Sequence, residues 1–341
     1  MMRTARLSAL LLALALLAGC APASREDTVN FTAMDTVIQL SVYGCDHGEE
    51  ALSEARQLIQ ELDGLLSTTD EGSQIHALNQ GETVALAQPV QALLERALAL
   101  CADTGGAFDI TIYPVVRAWG FTTDSHQVPT QEELSALLAR VDYRQVEPQE
   151  GTLTLPQGVE LDLGGVAKGY ASQQVARLLR EEGVDCALID LGGSIQAMGS
   201  SPDGDPWSVG IRDPRSDSPE DYAAVVRVTD QAVVTSGMYE RYFEQDGVRY
   251  GHIIDPDTGY PVDNGLASVT IVAADPTLAD ALSTALFVMG RDGAAQYWRG
   301  REDFEFVLMG EDGSITISEG LEGSFSLAGE QGSVSLEVIR R

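Results

Sequence analysis

The sequence predicts an α+β fold, and three observations support this. Helical and strand-like segments alternate without the regular strand–helix–strand rhythm that indicates a parallel sheet. The 341 residues, 44% of them hydrophobic, suffice for one large or two modest globular domains. The chain contains no internal repeat and no low-complexity segment. We therefore expect helices packed on mainly antiparallel strands.

The N-terminus is predicted to be a targeting segment. Arg3 and Arg6 precede an apolar run, LSALLLALALLAG, which is too short for a comfortable membrane span and ends at Cys20. The residues LAGC resemble a bacterial lipobox, which implies cleavage before Cys20 and lipidation of its thiol. The alternative is an ordinary secretory signal with a chance cysteine. The hypothesis assigns residues 1–19 to a signal peptide, 20–30 to the lipidated cysteine and a polar tether, and 31–341 to a domain outside the cytoplasm.

The first half of that domain is predicted to be mostly helical. Apolar periodicity indicates a helix over 49–66 and another from Pro89 to the glycines at 105–106. We predict a strand over 34–44, a third helix over 130–140 and a hairpin over 151–165 with its turn at 156–158.

The second half is predicted to be richer in strands. A helix follows Gly165, and a buried strand covers 186–193. The further predicted elements are strands at about 207–212, 224–229, 232–235, 249–254 and 268–273, a helix over 276–289, and a small antiparallel unit in the last 40 residues.

Charge limits the possible functions. Acidic residues outnumber basic ones by 52 to 21, which argues against nucleic-acid binding. An anionic ligand must therefore find positive charge locally. Lys168, the only lysine, stands in DLGGVAKGYA, where we predict that a strand ends at Asp162 and a helix begins after two glycines. Such a helix start favours an anion. The alternative is a simple turn with a surface lysine.

A second candidate site lies in ADALSTALFVMG. Asp280 and Thr284 are four residues apart on one helix face, with Ser283 beside them. A carboxylate and hydroxyl oxygens suit a hard cation such as Mg²⁺. The alternative is an acid that stabilises a helix N-terminus beside a buried threonine.

Two further motifs are weaker. His252, one of four histidines, is predicted at a strand end before the turn in GHIIDPDTGYP, where it could act as a general base or be structural. GGAFDITIYP places Ala107, Phe108 and Asp109 at a predicted helix-to-strand junction that could border a planar ligand. TSGMYERYF is another ambiguous turn. Three cysteines besides Cys20 cannot form a complete disulfide framework, and no spacing suggests zinc.

Taken together, the motifs resemble the ApbE family, the FAD:protein FMN transferases. Matching segments run in order from MDT at Met34 through LLSTTDEGSQIHALN, GGAFDITIYP, ELDLGGVAKGYA, LIDLGGSIQAMG, WSVGIRDP, VVTSGMYERYF and HIIDPDTGYP to ADALSTALFVMG. The resemblance implies an ApbE-like, T-fold-like α+β body with FAD in a cleft. It implies Mg²⁺-dependent cleavage of FAD, transfer of FMN to a Thr or Ser hydroxyl of a target protein, and release of AMP.

The resemblance also implies roles for particular residues. The implied FAD-contacting residues are Met34, Thr69, Ala107, Phe108, Asp109, Asp162, Lys168 and Ile254. Asp280 and Thr284 would hold the metal, with Ser283 nearby and the backbone oxygen of Gly165 contributing. His252 would be the base for the acceptor hydroxyl, and Lys168 would face phosphate or flavin. Some family members have a tyrosine at the position of Thr69.

Two other functions remain open at this point. The same site could hydrolyse FAD to FMN and AMP with water as acceptor, or the protein could be a flavin-binding lipoprotein without catalysis. The family implies an acceptor that is an extracytoplasmic part of a membrane redox complex or an exported flavin-carrying reductase.

Overall fold

The fold is known from a computed structural model that describes residues 25–123, 125–148, 151–216, 218, 220–328 and 335–341. The elements in chain order are β1 (Glu26–Ala33), β2 (Thr36–Tyr43), α1 (Gly48–Leu66), α2 (Gln74–Asn79), β3 (Val84–Ala85), α3 (Gln88–Asp103), α4 (Tyr113–Trp119), α5 (Gln131–Leu138), β4 (Thr152–Leu153), α6 (Ala167–Glu181), β5 (Ala187–Leu191), β6 (Ser194–Met198), β7 (Trp207–Arg212), β8 (Tyr222–Val228), β9 (Ala232–Gly237), β10 (Tyr242–Gln245), β11 (Val248–Gly251), β12 (Leu266–Ala273), α7 (Pro276–Arg299), β13 (Phe304–Gly310), β14 (Ile315–Ser318), β15 (Phe325–Leu327) and β16 (Leu336–Ile339).

A large sheet forms the centre of the described structure. Its nine strands lie in the order β1-β2-β5-β6-β9-β12-β13-β14-β16. All neighbours are antiparallel except β14 and β16, which are parallel. Every residue of β12 is buried because this central strand is covered on both faces.

The helices α1, α6 and α7 cover one face of this sheet. The periodic apolar residues of α1, including Leu52, Ile59 and Leu62, are buried in the main core as their spacing predicts. Helix α7 is kinked at Gly290, whose φ of 68° is left-handed, so the segment predicted as 276–289 ends at the kink and a further helical stretch continues to Arg299.

A smaller sheet covers the other face. It has the order β15-β8-β7, and its inward-facing Trp207, Val209 and Ile211 pack with Val233 and Val272 of the large sheet. A third cluster lies at one end, where the hairpin β10–β11 packs against α4. There the ring of Phe243 stacks on Tyr250 at a centroid distance of 5.2 Å, and both rings contact Trp119.

The predicted α+β class is confirmed, with four local corrections. The predicted hairpin over 151–165 is wrong: β4 pairs with β3, and the backbone N–H of Asp162 donates to Ile110 in a loop instead of ending a strand. The segment after Asp109 forms helix α4, not a strand. The terminal strands join both sheets, and β16 is parallel to β14.

The fourth correction concerns the predicted tether. Strand β1 begins at Glu26, within the segment assigned to the tether, because its alternating pattern pairs along the whole of β2. The signal peptide and Cys20 lie outside the described residues. Within the described ranges, no helix is both long and apolar enough to cross a membrane.

Two left-handed residues connect β1 to β2. Met34 and Asp35 have φ values of 51° and 57°, which is uncommon for residues other than glycine. The resulting tight turn places both residues at the border of the cleft described next.

Candidate active site

A cleft of about 1280 Å³ contains most of the predicted site residues. One side, which we call the helix wall, consists of residues 162–168 at the start of α6 together with Asp280 and Thr284 of α7. A second set of lining residues, which we call the strand wall, consists of β7 and of residues 239–241 and His252, which flank the hairpin β10–β11. The cleft therefore brings together motifs that are more than 100 residues apart.

Lys168 occupies the first turn of α6, as predicted. Its side chain lines the cleft and has no salt bridge within the described part of the chain. In the turn before the helix, Asp162 accepts a hydrogen bond of 2.7 Å from the backbone N–H of Gly164. Burial raises the pKa of Asp162, while this N–H and the charge of Arg241 oppose the shift. The turn thus presents an unpaired cation beside a helix start, a combination suited to an anion.

Asp280 connects the two helices of the helix wall. Its Oδ2 accepts a hydrogen bond of 2.8 Å from the backbone N–H of Gly169 in α6. The helices approach so closely that a Cβ on Gly169 would lie 2.2 Å from the carbonyl oxygen of Pro276. Burial raises the pKa of Asp280, and the positive charge of Lys168 is the main opposing influence.

The helix-terminus role left open for Asp280 belongs to another residue. Asp275 is the N-cap of α7, and its side chain accepts hydrogen bonds from the N–H groups of Thr277 and Leu278. Asp280 lies one turn further along and faces the cleft with Thr284. Its carboxylate is therefore available for a ligand through Oδ1.

The other predicted metal ligands lie close to Asp280. A Cβ on Gly165 would be 3.4 Å from Thr284 Oγ1 and 3.1 Å from the Phe108 ring, so the three residues are in near contact. Ser283 is fully buried and does not line the cleft; its hydroxyl donates to the carbonyl oxygen of Asp280 at 2.7 Å and lies 2.7 Å from Ser236 Oγ. Among the described residues, no group of three or more His, Cys, Asp or Glu could hold a metal ion. A metal here would need hydroxyl and carbonyl oxygens.

His252 follows β11 directly and lines the strand wall. Its Nδ1 lies 3.2 Å from the carbonyl oxygen of Arg241, which can only accept, so Nδ1 carries the proton and Nε2 carries the free lone pair. Burial lowers the pKa of His252 to about 4, and the charges of Arg241 and Lys168 lower it as well. The imidazole is therefore neutral at pH 7 and able to accept a proton.

The remaining predicted residues all line the same cleft: Met34, Thr69, Ala107, Phe108, Asp109 and Ile254. Asp109 is also structural, because its carboxylate accepts hydrogen bonds from the hydroxyl and N–H of Thr111 and from the N–H of Tyr143. Burial raises its pKa, and the bonds to Thr111 oppose that shift. These bonds hold the loop that carries Ala107 and Phe108.

Several charged residues of the cleft were not predicted individually. Arg212 stacks on the Tyr239 ring at 4.8 Å, and Arg241 forms an ion pair of 3.6 Å with Asp35. Burial raises the pKa of Glu240, with Lys168 as the main opposing charge. The motifs WSVGIRDP and TSGMYERYF contain three of these residues, but only the tertiary structure brings them into the same cleft as His252.

Comparisons with known proteins agree on one family. The model of the ApbE family matches residues 34–308. The FAD:protein FMN transferase of Treponema pallidum is 39% identical over 291 residues, covering 80% of each chain. The protein of the same name from Klebsiella pneumoniae is 35% identical and covers 84% of this chain and 89% of its own.

Solved structures resemble the whole described fold. The ApbE protein of Thermotoga maritima superimposes with a TM-score of 0.81 at 33% identity, covering 88% of this chain and 99% of its own. The flavin transferase ApbE of Vibrio cholerae gives a TM-score of 0.79 at 28% identity, with the same coverage. The similarity therefore spans both sheets and both walls of the cleft.

Proposed function

The chain belongs to the ApbE family, and we propose that it transfers FMN from FAD to a hydroxyl group of an acceptor protein. The observation that carries this proposal is the meeting of Lys168, His252, Asp280 and Thr284 in one cleft. A cation, a neutral base and oxygen ligands for a metal are the groups that phosphoryl transfer requires.

FAD is the proposed substrate, held with its pyrophosphate at the helix wall. Lys168, which forms no salt bridge within the described residues, offers positive charge at the start of α6 in a chain with a net charge of −31. The lining of the cleft by Met34, Thr69, the loop 107–109 and Ile254 supports the FAD contacts that the family implies.

The oxygen atoms near Asp280 fit a magnesium ion. Three oxygen atoms here are hard donors: Asp280 Oδ1, Thr284 Oγ1 and the carbonyl oxygen of Gly165. The Ser283 hydroxyl donates to the carbonyl oxygen of Asp280 and so holds the backbone at that residue. Burial raises the pKa of the Asp280 carboxyl, so its charged form is disfavoured in this environment. A bound cation would stabilise that charged form. When bound, Mg²⁺ would supply charge neutralisation at the phosphate oxygens.

His252 is the proposed general base. Its Nε2 takes the proton of the acceptor hydroxyl as that oxygen forms a bond to the phosphorus of the FMN half. The bond from this phosphorus to the bridging oxygen breaks, and AMP leaves with that oxygen. Lys168 stays close enough to stabilise the charge on the departing phosphate. The imidazole then returns its proton to solvent.

One experiment separates the transferase from its two alternatives. The full-length chain in detergent is mixed with FAD, Mg²⁺ and an apo-flavoprotein acceptor that contains the target threonine. We expect a fluorescent acceptor band on a denaturing gel with an equal amount of AMP, both lost on adding EDTA. AMP without a band would indicate FAD hydrolysis. Bound FAD with neither product would indicate a binding protein.

We further propose that the protein is anchored by lipid at Cys20 on the outer face of the cell membrane, where its acceptor would be an exported or membrane-bound redox protein. The lipobox-like LAGC supports this. Mass spectrometry of membrane-extracted protein should find an N-terminal diacylglyceryl-cysteine. An unmodified Cys20, or an N-terminus elsewhere, would overturn the assignment.

A further inference from the structure

Strand β7 meets the cleft along its edge. Within the described residues β7 pairs only with β8, so it is the outer strand of the small sheet. Five of its six residues line the cleft: Trp207, Ser208, Val209, Gly210 and Arg212. Successive side chains of a strand point to opposite faces. Consecutive strand residues can therefore all border the same cavity only if the edge of the strand, with its backbone groups, faces that cavity.

The direction of the backbone groups follows from the pairing of β8. The N–H of Arg227 donates to the carbonyl oxygen of Ser324 at 2.8 Å, so Arg227 directs its backbone groups away from β7. Arg227 lies opposite Ser208, which is therefore a non-hydrogen-bonded position of the β7–β8 ladder. Gly210, two residues further, has the same orientation. The N–H and C=O groups of both residues point into the cleft and have no hydrogen-bond partner among the described residues.

The C-terminal end of this edge lies beside the segment 239–241 of the strand wall. The Arg212 guanidinium stacks on Tyr239, and its buried Nε has no hydrogen-bond partner in the described structure. Tyr239 is followed by Glu240 and Arg241, and the carbonyl oxygen of Arg241 orients His252. A chain lying along β7 would therefore end beside Tyr239, two residues before the residue whose carbonyl oxygen holds the proposed base.

We propose that an extended segment of the acceptor protein binds as an additional strand beside β7 and so delivers its hydroxyl to His252. This inference rests on the proposed transferase function. Alternating N–H and C=O groups at strand spacing are complementary to a polypeptide backbone, and FAD has no such series.

The lining of the cleft leaves a place for a second reactant. Its volume of about 1280 Å³ is bordered by both the helix wall and the strand wall. FAD at the helix wall leaves the strand wall for the acceptor. Ser208 is exposed and Gly210 is half-buried, so a partner strand can reach both.

The test compares Ser208→Pro with Ser208→Ala. Proline removes the N–H that points into the cleft and breaks no β7–β8 hydrogen bond, and alanine keeps that N–H. The assay uses the full-length chain and an acceptor flavoprotein domain that the wild-type protein labels. We expect Ser208→Pro to raise the acceptor KM about tenfold through loss of a backbone hydrogen bond, with FAD affinity unchanged. Ser208→Ala, which keeps that N–H, should raise the acceptor KM by much less than Ser208→Pro.

A second measurement holds even if the proline variant misfolds. Amide hydrogen exchange of residues 207–212 in the wild-type chain is compared with FAD alone and with FAD plus an acceptor whose target threonine is alanine. Slower exchange on adding the acceptor supports the proposal. Equal acceptor KM in a folded Ser208→Pro, or protection by FAD alone, overturns it. Wild-type protein that forms AMP but labels no acceptor contradicts the transferase function instead.

Discussion

The two walls of the cleft differ in how completely their backbone polar groups are paired. On the helix wall, Asp280 bonds to Gly169 and Asp162 bonds to Gly164. On the strand wall, backbone groups of Ser208 and Gly210 and the Nε of Arg212 have no partner within the described structure. One wall is preorganised before any ligand arrives, whereas the other is completed by a partner.

This difference matches two kinds of reactant. A small anion is best stabilised by groups that are already fixed, because they need no reorganisation during the reaction. An acceptor protein brings its own backbone donors and acceptors, so an unpaired strand edge is a suitable receptor. The cleft thus separates stabilisation of charge from recognition of a polypeptide, and the following predictions test that separation.

The largest effect is expected at Asp280. Asp280→Asn keeps the size and an acceptor oxygen for Gly169 but removes the charge that would hold Mg²⁺. We expect the kcat of transfer to fall by about 10²- to 10³-fold, as when other preorganised charge-stabilising groups are lost. Steady-state labelling over a Mg²⁺ series measures this. The control is Asp292→Asn, which removes an exposed acid from the same helix. Full activity of Asp280→Asn at low Mg²⁺ would remove Asp280 from the metal site.

His252→Gln should lower the transfer rate by about 10²-fold. This is near the lower end of the rate loss expected when a general base is removed, because a pKa of about 4 makes this imidazole a weak base. His47→Gln, which changes a histidine outside the cleft, is the matched control.

The pH dependence of the wild type gives a second measure of His252. The folded pKa is below the ordinary value of 6.5, so the neutral, active form persists as pH falls and is lost only near pH 4. The acid limb of kcat/KM for FAD should therefore have its midpoint near pH 4 in a stopped assay. A midpoint near 6.5 would contradict this environment for His252.

A stability test examines the packing of the helix wall. Gly169→Ala would place a Cβ 2.2 Å from the carbonyl oxygen of Pro276, so α6 and α7 must separate. We expect the free energy of unfolding in urea to fall by about 1–3 kcal/mol, as in other overpacked cores. Gly64→Ala in α1, where a Cβ meets nothing within 4 Å, should instead be neutral or stabilising by up to about 1 kcal/mol. Equal stability of the two variants would show that the helix wall is not tightly packed.

The smallest effect is expected at the strand wall. Arg241→Gln removes the ion pair with Asp35, whose two side chains are 53% and 85% exposed. We expect the free energy of unfolding to change by less than about 0.5 kcal/mol, because exposed ion pairs are well solvated. Arg249→Gln, which breaks a similarly exposed pair with Glu244, provides the comparison. A much larger loss for Arg241→Gln would mean that the ion pair holds the cleft mouth together.

The sequence predicted the parts of the fold that depend on local pattern. The periodicity of α1 and the glycines that end α3 identified those helices. The motifs pointed to Lys168, Asp280 and His252, which the structure places in the same cleft. The hairpin over 151–165 failed because its turn is real but its arms are bonded to distant segments, as with Leu161 and Asn79. Local signals do not specify such partners.

The open strand edge lay beyond local prediction for the same reason. WSVGIR was correctly predicted as a strand, but the residues alone do not reveal that β7 is outermost and borders the cleft. Arg212 likewise has no local sequence signal that distinguishes it from the other arginines. Its place in the cleft wall depends on Tyr239, which follows β9 and lies under the guanidinium.

The turn at Met34 and Asp35 affects how far the thermal stability of this protein can be raised by substitution. Two consecutive left-handed residues with side chains store conformational strain, and Asn-Gly would fit the same turn with less. A stability screen would therefore favour replacing them. Met34 borders the cleft, however, so the more stable variant would lose a side chain at the border of the proposed substrate site. Substitutions at this turn should therefore raise thermal stability and lower the affinity for the substrate.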